Sequence, residues 1–229
     1  MSIGPTHPSS DVRVRFEELD DIPAIREVNR AAFRHDTEAR IVDALRSAGA
    51  VILSMVAVIG ADQLVAGDDG RGEAATIPTW GGEGGAWGDV PGGAGQEEAV
   101  GTSRVIGGTV IGHALVTPVR VTAEHGEATM LGLGPVAVHP DSQGQGVGTV
   151  LVEACLEQAR ESGYPGIVVL GNPSYYSRFG FIPAARWGLR YEIDASQASF
   201  LALELSPGKL SGTTGVVHYR PEFIRSADL

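Results

Sequence analysis

An apolar strand running into a turn with three glycines in five residues constrains this chain more than any other segment. Residues 136 to 152 read Val-Ala-Val-His-Pro-Asp-Ser-Gln-Gly-Gln-Gly-Val-Gly-Thr-Val-Leu-Val. Gly144, Gly146 and Gly148 carry no side chain, so backbone N–H groups from Gln143 to Gly148 can crowd around one anion, and the dipole of the following helix adds positive potential. The turn therefore suits a phosphate. Two common phosphate loops do not fit the spacing. A nucleotide-triphosphate loop needs Lys followed by Ser or Thr after its last glycine, where this chain has Thr149-Val150. A dinucleotide fingerprint needs a third glycine where Thr149 stands. An ordinary tight strand-to-helix turn is the alternative without a ligand.

The remaining pattern is Gln143-x-x-Gly146-x-Gly148, preceded by Val136-x-Val138-x-Pro140. It resembles the acetyl-CoA site of the GNAT family of N-acetyltransferases. After the helix comes Gly166-Ile167-Val168-Val169-Leu170, an apolar run suited to a buried parallel strand. Asn172 to Phe181 follows, and within it Tyr176, Gly180 and Phe181 match the family's Tyr-x-x-x-Gly-Phe. The likeness spans residues 12 to 206 with one interruption and is strongest from Leu131 to Pro183. It is most similar to the YhbS-like branch of predicted N-acetyltransferases. Leu131 to Val138, Tyr175 to Pro183, Phe200 to Leu205 and Pro207 to Gly212 carry that similarity.

The resemblance implies an α/β (α+β) fold. Its centre is a mixed, mostly antiparallel sheet with a splayed parallel strand pair at the cofactor site and helices on both faces. It implies acetyl-CoA as the acetyl donor. Val136, Ala137, Val138, Gln143, Gly144, Gln145, Gly146, Val147, Gly148 and Asn172 are then the cofactor-binding residues, and Tyr176 is catalytic. No metal ligand set is expected. Acetyl transfer to an amine needs a neutral amine, a placed thioester, a stabilised oxyanion and a proton for the departing thiolate. A free N–H near Val136 can serve the oxyanion. Gly134-Pro135, inside a strand-like run, suggests a bulge or splayed edge that makes room for the cofactor. Tyr176 can donate to the thiolate, because an ordinary phenol near ~10 lies close to a thiol near ~8.5. Its neighbour Tyr175 points about 100° away on a helix, so only one of the two faces the thioester. Direct transfer needs no acyl-enzyme, and Cys155 belongs on a buried helix face rather than in the role of nucleophile. The general base stays open among Glu38, Asp36, His113, Glu127 and a chain of waters.

Apolar residues Ile22, Ile25, Val28 and Ala32 predict a helix within 20 to 33, and Ile41 with Leu45 a second over 37 to 47. Strands are expected at 12–16, 51–59, 105–116 and 129–138, then a helix at 146–162, a strand at 166–170, a short helix, and strands near Phe181 and over 200–205. Residues 1–11 read as a flexible N-terminus, 12–206 as the transferase domain, and 207–229 as an extension packed on it. Between the second and third strands, residues 60–103 hold thirteen glycines and a net charge of −7 out of −11 for the whole chain. Such a stretch cannot bury enough apolar surface to offset its ordering entropy. It reads as a flexible, solubilising loop, or as a lid whose acidic groups attract cationic amines.

The acidic balance and the lack of a Lys/Arg cluster argue against a nucleic-acid partner. No apolar run approaches the ~20 residues of a membrane span, and no basic-then-apolar leader opens the chain. With a single cysteine, these features favour the cytoplasm. The expected activity is N-acetylation of a primary amine on a small molecule, with a protein amine as the lesser choice. The alternative is a catalytically silent acetyl-CoA-binding module. Oligomeric state is not encoded legibly.

Overall fold

The computed structural model describes residues 12–60, 108–124 and 126–225. The first elements are β1 (Arg13–Phe16), α1 (Ile22–Phe33), α2 (Thr37–Ser47), β2 (Leu53–Ile59), β3 (Thr109–Ala123) and β4 (Gly126–Val138). Then come α3 (Val147–Glu161), β5 (Gly166–Leu170), α4 (Pro173–Tyr176), β6 (Ile182–Pro183), β7 (Leu189–Tyr191), β8 (Phe200–Glu204), β9 (Gly215–His218) and α5 (Pro221–Arg225). The described strands form one sheet in the order β1-β2-β3-β4-β5-β8-β6, with β9 paired to β3 and to β7. Pairing is antiparallel except for β4 with β5 and β7 with β9.

Each helix forms because its apolar positions recur on one face. In α3 the buried set is Val147, Leu151, Val152, Cys155, Leu156 and Ala159. This face packs on Ile111, Ala114, Leu131, Leu133, Ile167 and Val169 from one side of the sheet. Ile25 and Val28 of α1, with Ile41, Val42 and Leu45 of α2, pack on Val56, Val58, Leu115 and Ala137 from the other side. β5 is apolar throughout and mostly buried, as a strand covered on both faces must be. The expected fold, a mixed sheet with helices on both faces, is the one observed.

Two expected elements, α2 and β5, have the observed boundaries. β3 runs seven residues past its expected end at Val116. The reason lies in its edge partners: β2 stops pairing at Val116, β9 starts at Arg120, and Pro118 occupies the gap where no ladder bond is asked of its missing N–H. Residues 1–11 and all of 60–103 except Gly60 lie outside the described residues.

Opposite Leu115 of β3, the two residues Gly134 and Pro135 of β4 share one place, because the register passes from Ala114↔Val136 to Val116↔Leu133. Their peptide bond is cis. This bulge, expected from Gly134-Pro135, falls one residue after β4 stops pairing with β5 at Leu133↔Val169. Beyond it the two parallel strands part.

Candidate active site

Backbone geometry prepares the gap between the parted strands. His139 N–H donates to the Ile111 carbonyl at 2.8 Å, so 139↔111 is a hydrogen-bonded pair of the antiparallel ladder. Alternation then makes Ala137↔His113 bonded, and leaves the N–H and C=O groups of Val136 and Val138 facing away from β3, into the gap. The Val138 carbonyl is taken there by Gln143, whose Nε2 donates to it at 3.0 Å. At the turn, the amides of Ser142 and Gln143 bond to His139 and Pro140 carbonyls, and those of Thr149 and Val150 to Gly146. The amides between them have no backbone acceptor in that set, which is the arrangement an anion completes. Gly146 caps α3 at φ 83°, a left-handed conformation that a β-branched residue adopts only with strain.

A groove of about 1130 Å³ runs from this turn along the gap. Val136, Val138, Gln143, Gly144, Gly146, Val147 and Gly148 line it, as expected, together with Tyr175, Tyr176 and Arg178. Three expected cofactor residues do not line it. Ala137 is buried against α1 and α2, Gln145 folds back so that Nε2 donates to the Asp141 carbonyl, and Asn172 caps α4 by accepting from the Ser174 N–H. Sequence reasoning assigned no role to Arg178, which is held by a bond from Nε to the Tyr175 carbonyl with its guanidinium 4.8 Å from the Tyr175 ring centre. Its position two residues after Tyr176 on the same short helical segment was the available signal.

A second cavity, of about 310 Å³, is lined in part by Leu133, Gly134, Pro135 and Val136 of β4. Phe33, Val136 and Tyr176 belong to both cavities. Tyr176 is therefore placed where the two meet. Its ring stands at 89° to that of Tyr175, which lies over the first turn of α3 with its hydroxyl close to Gly148. Among the described residues nothing hydrogen-bonds the Tyr176 hydroxyl. Burial, with smaller contributions from Tyr175 and Cys155, pushes this phenol up to about 12. Burial alone pushes the Cys155 thiol up to about 12, so it stays protonated inside α3.

The candidate bases separate clearly. Glu38 lines the smaller cavity, with Oε2 at 2.9 Å from Nδ1 of the half-exposed His35. Asp36 pairs with Arg30 at 2.7 Å, and Glu127 faces Arg120 at 3.6 Å; neither lines either of these two cavities. His113 is fully buried under α1 and lines neither cavity. Asn29 Nδ2 donates to the Ile25 carbonyl, which fixes it as the amide nitrogen, so His113 Nδ1 accepts from it at 3.2 Å. Nε2 then carries the proton and donates to Ser54 Oγ at 3.0 Å, and Ser54 donates to Glu17.

Burial, partly opposed by Glu17, pushes His113 down from 6.5 to about 4. Above pH 6.5 neither the folded nor the unfolded state binds this proton. Between 6.5 and about 4 the unfolded chain binds it and the folded chain does not, so stability falls as pH falls through that window and levels off below it. The loss amounts to about 3 kcal/mol. Urea midpoints between pH 7 and 4 will drop more steeply in the native protein than in His113→Gln; parallel lines would contradict a neutral buried histidine.

Fold and site together define an acetyltransferase of the GNAT type, and the chain belongs to that family. The Acetyltransferase (GNAT) family model matches residues 93–181. Over 212 residues the chain is 30% identical to the uncharacterized N-acetyltransferase YhbS of Escherichia coli K12, covering 93% of this chain and 98% of that one. The crystal structure of Escherichia coli YhbS in complex with CoA superposes with a TM-score of 0.70 at 29% identity, over 96% of each chain. A GNAT family acetyltransferase from Brucella melitensis, in complex with acetyl-CoA, gives 0.60 at 29% identity, over 93% of this chain and 97% of that one. Among the described residues no helix is long and apolar enough to cross a membrane.

Proposed function

We propose that the chain moves the acetyl group of acetyl-CoA directly to the primary amine of a small molecule. The observation that carries this reading is the meeting of two cavities at Val136 and Tyr176. The larger groove takes the donor: its pyrophosphate lies on the bare amides at Gly144 to Gly148, with Arg178 supplying a positive charge. The pantetheine arm follows Val138 and Val136, and the thioester reaches the junction. There the Val136 N–H stabilises the oxyanion as the amine attacks. The Tyr176 hydroxyl hydrogen-bonds the sulfur as the C–S bond breaks. A phenol at about 12 transfers its proton fully only late, because a thiol near ~8.5 is the stronger acid. Holding the developing negative charge is the larger part of its work. A cytoplasmic setting, where acetyl-CoA is available, fits this reaction.

The acceptor enters from the smaller cavity, where Glu38 is the carboxylate. It takes the ammonium proton, so that the nitrogen attacks as a free amine. Glu38→Gln will lower kcat/KM for the amine by about a hundredfold with the acetyl-CoA KM held, measured by release of free thiol. Undiminished amine kinetics would return the base role to a chain of waters.

A further inference from the structure

The walls of the smaller cavity come from five separate parts of the chain, and their chemistry is one-sided. Phe33, Tyr176, Tyr191, Tyr219 and Phe223 supply aromatic rings, and Leu133 and Ile41 are among the aliphatic residues beside them. Glu38 is the single charged residue among the described lining, which contains no Lys, Arg or His. The donor groove, by contrast, contains Arg178 as well as a carboxylate, Glu153. A cation is thus available where phosphates lie, while the only charge on the described lining of the smaller cavity is an anion, where an amine arrives.

Tyr219 adds a second, independent feature. It is 6% exposed, and its hydroxyl is buried without a hydrogen-bond partner among the described residues. The ring is fixed between Tyr191, at 5.6 Å and 86°, and Phe223, at 5.4 Å and 80°. Gly132 lies beneath it, where a Cβ would stand 3.0 Å from Tyr219 Cε1. Burial, then the neighbouring Tyr191 and Tyr176, pushes the phenol up, so it remains a neutral donor. A buried hydroxyl without a partner is costly unless something completes it.

We propose that this cavity selects a compact primary amine with an aromatic body and no acidic group, and that the Tyr219 hydroxyl reads a neutral hydroxyl substituent on that body. The inference rests on the acetyltransferase reading above and deepens it. The aromatic walls accept the body by burial and edge-to-face contact. An α-carboxylate or phosphate on the acceptor would be desolvated beside Glu38 with no Lys, Arg or His among the described lining residues to pair it. The hydroxyl of the acceptor completes that of Tyr219.

The experiment compares phenethylamine, its ring- and β-hydroxylated forms, and phenylalanine as acceptors, by thiol release from acetyl-CoA and by calorimetric binding to CoA-saturated protein. Phenylalanine will show a kcat/KM at least about a hundredfold below phenethylamine. One hydroxylated form will exceed phenethylamine by about tenfold, and in Tyr219→Phe that ratio will fall to about one. The melting temperature of Tyr219→Phe will not fall, because an unpaired buried hydroxyl is what it removes. Equal use of phenylalanine, or a hydroxyl preference that persists in Tyr219→Phe, overturns the proposal and leaves the transferase reading standing. Absence of thiol release with every amine, with the same ratios seen in binding, sinks the transferase reading and keeps the cavity assignment. Neither turnover nor amine binding overturns both.

Discussion

Tyr176→Phe will lower kcat by about a hundredfold while the dissociation constant for acetyl-CoA stays within about twofold of the native value. The substitution keeps the ring that packs against Tyr175, Phe179 and Phe181 and removes only the hydroxyl at the junction of the two cavities. An interaction made only as the C–S bond breaks affects turnover and spares ground-state binding. The pH profile gives a further check. Because burial holds the phenol up to about 12, its loss of a proton cannot limit kcat between pH 8 and 10; only above that range does turnover fall as pH rises toward the phenol's own value. Unchanged kcat in Tyr176→Phe would remove this hydroxyl from the chemistry.

Gly146→Val will act on the opposite quantity. It will weaken acetyl-CoA binding by about a hundredfold, combining roughly 1–2 kcal/mol for a side chain forced to φ 83° with the loss of amide contacts to a charged phosphate. Residue 146 is the cap of α3 and lines the groove, whereas the core face of that helix begins at Val147 and continues through Leu151 and Cys155. The fold is thus expected to survive, which a thermal melt checks. Calorimetric titration with acetyl-CoA reads the loss, and native affinity in a folded variant would mean that the phosphate lies elsewhere.

Residues that act locally were readable before any coordinates. The amides of the glycine turn, the bulge at Gly134-Pro135 and the helical face of Cys155 all follow from neighbours within a few positions. Tyr176 was placed by resemblance to a family motif, and the structure brings it to the junction of the cavities. Asn172 shows the limit of that route, since its side chain is used to cap α4. The smaller cavity was not legible. Phe33, Glu38, Tyr191, Tyr219 and Phe223 meet only because β9 pairs with β3 across 94 to 98 residues of sequence, and a four-residue strand carries no local sign of its partner. The surroundings of His113 were hidden for a related reason: the sequence displays an imidazole, and only packing reveals that Asn29 and Ser54 occupy both its nitrogens.

The most direct test of direct acetyl transfer at this junction is a mass-resolved balance of the reaction. Protein, acetyl-CoA and phenethylamine are mixed, and free CoA, acetylated amine and intact protein mass are followed together. The account predicts one acetylated amine for each CoA released, no release without amine, and an unchanged protein mass throughout. Acetyl groups accumulating on the protein, or acetyl-CoA bound firmly with no product from any amine tried, would contradict it.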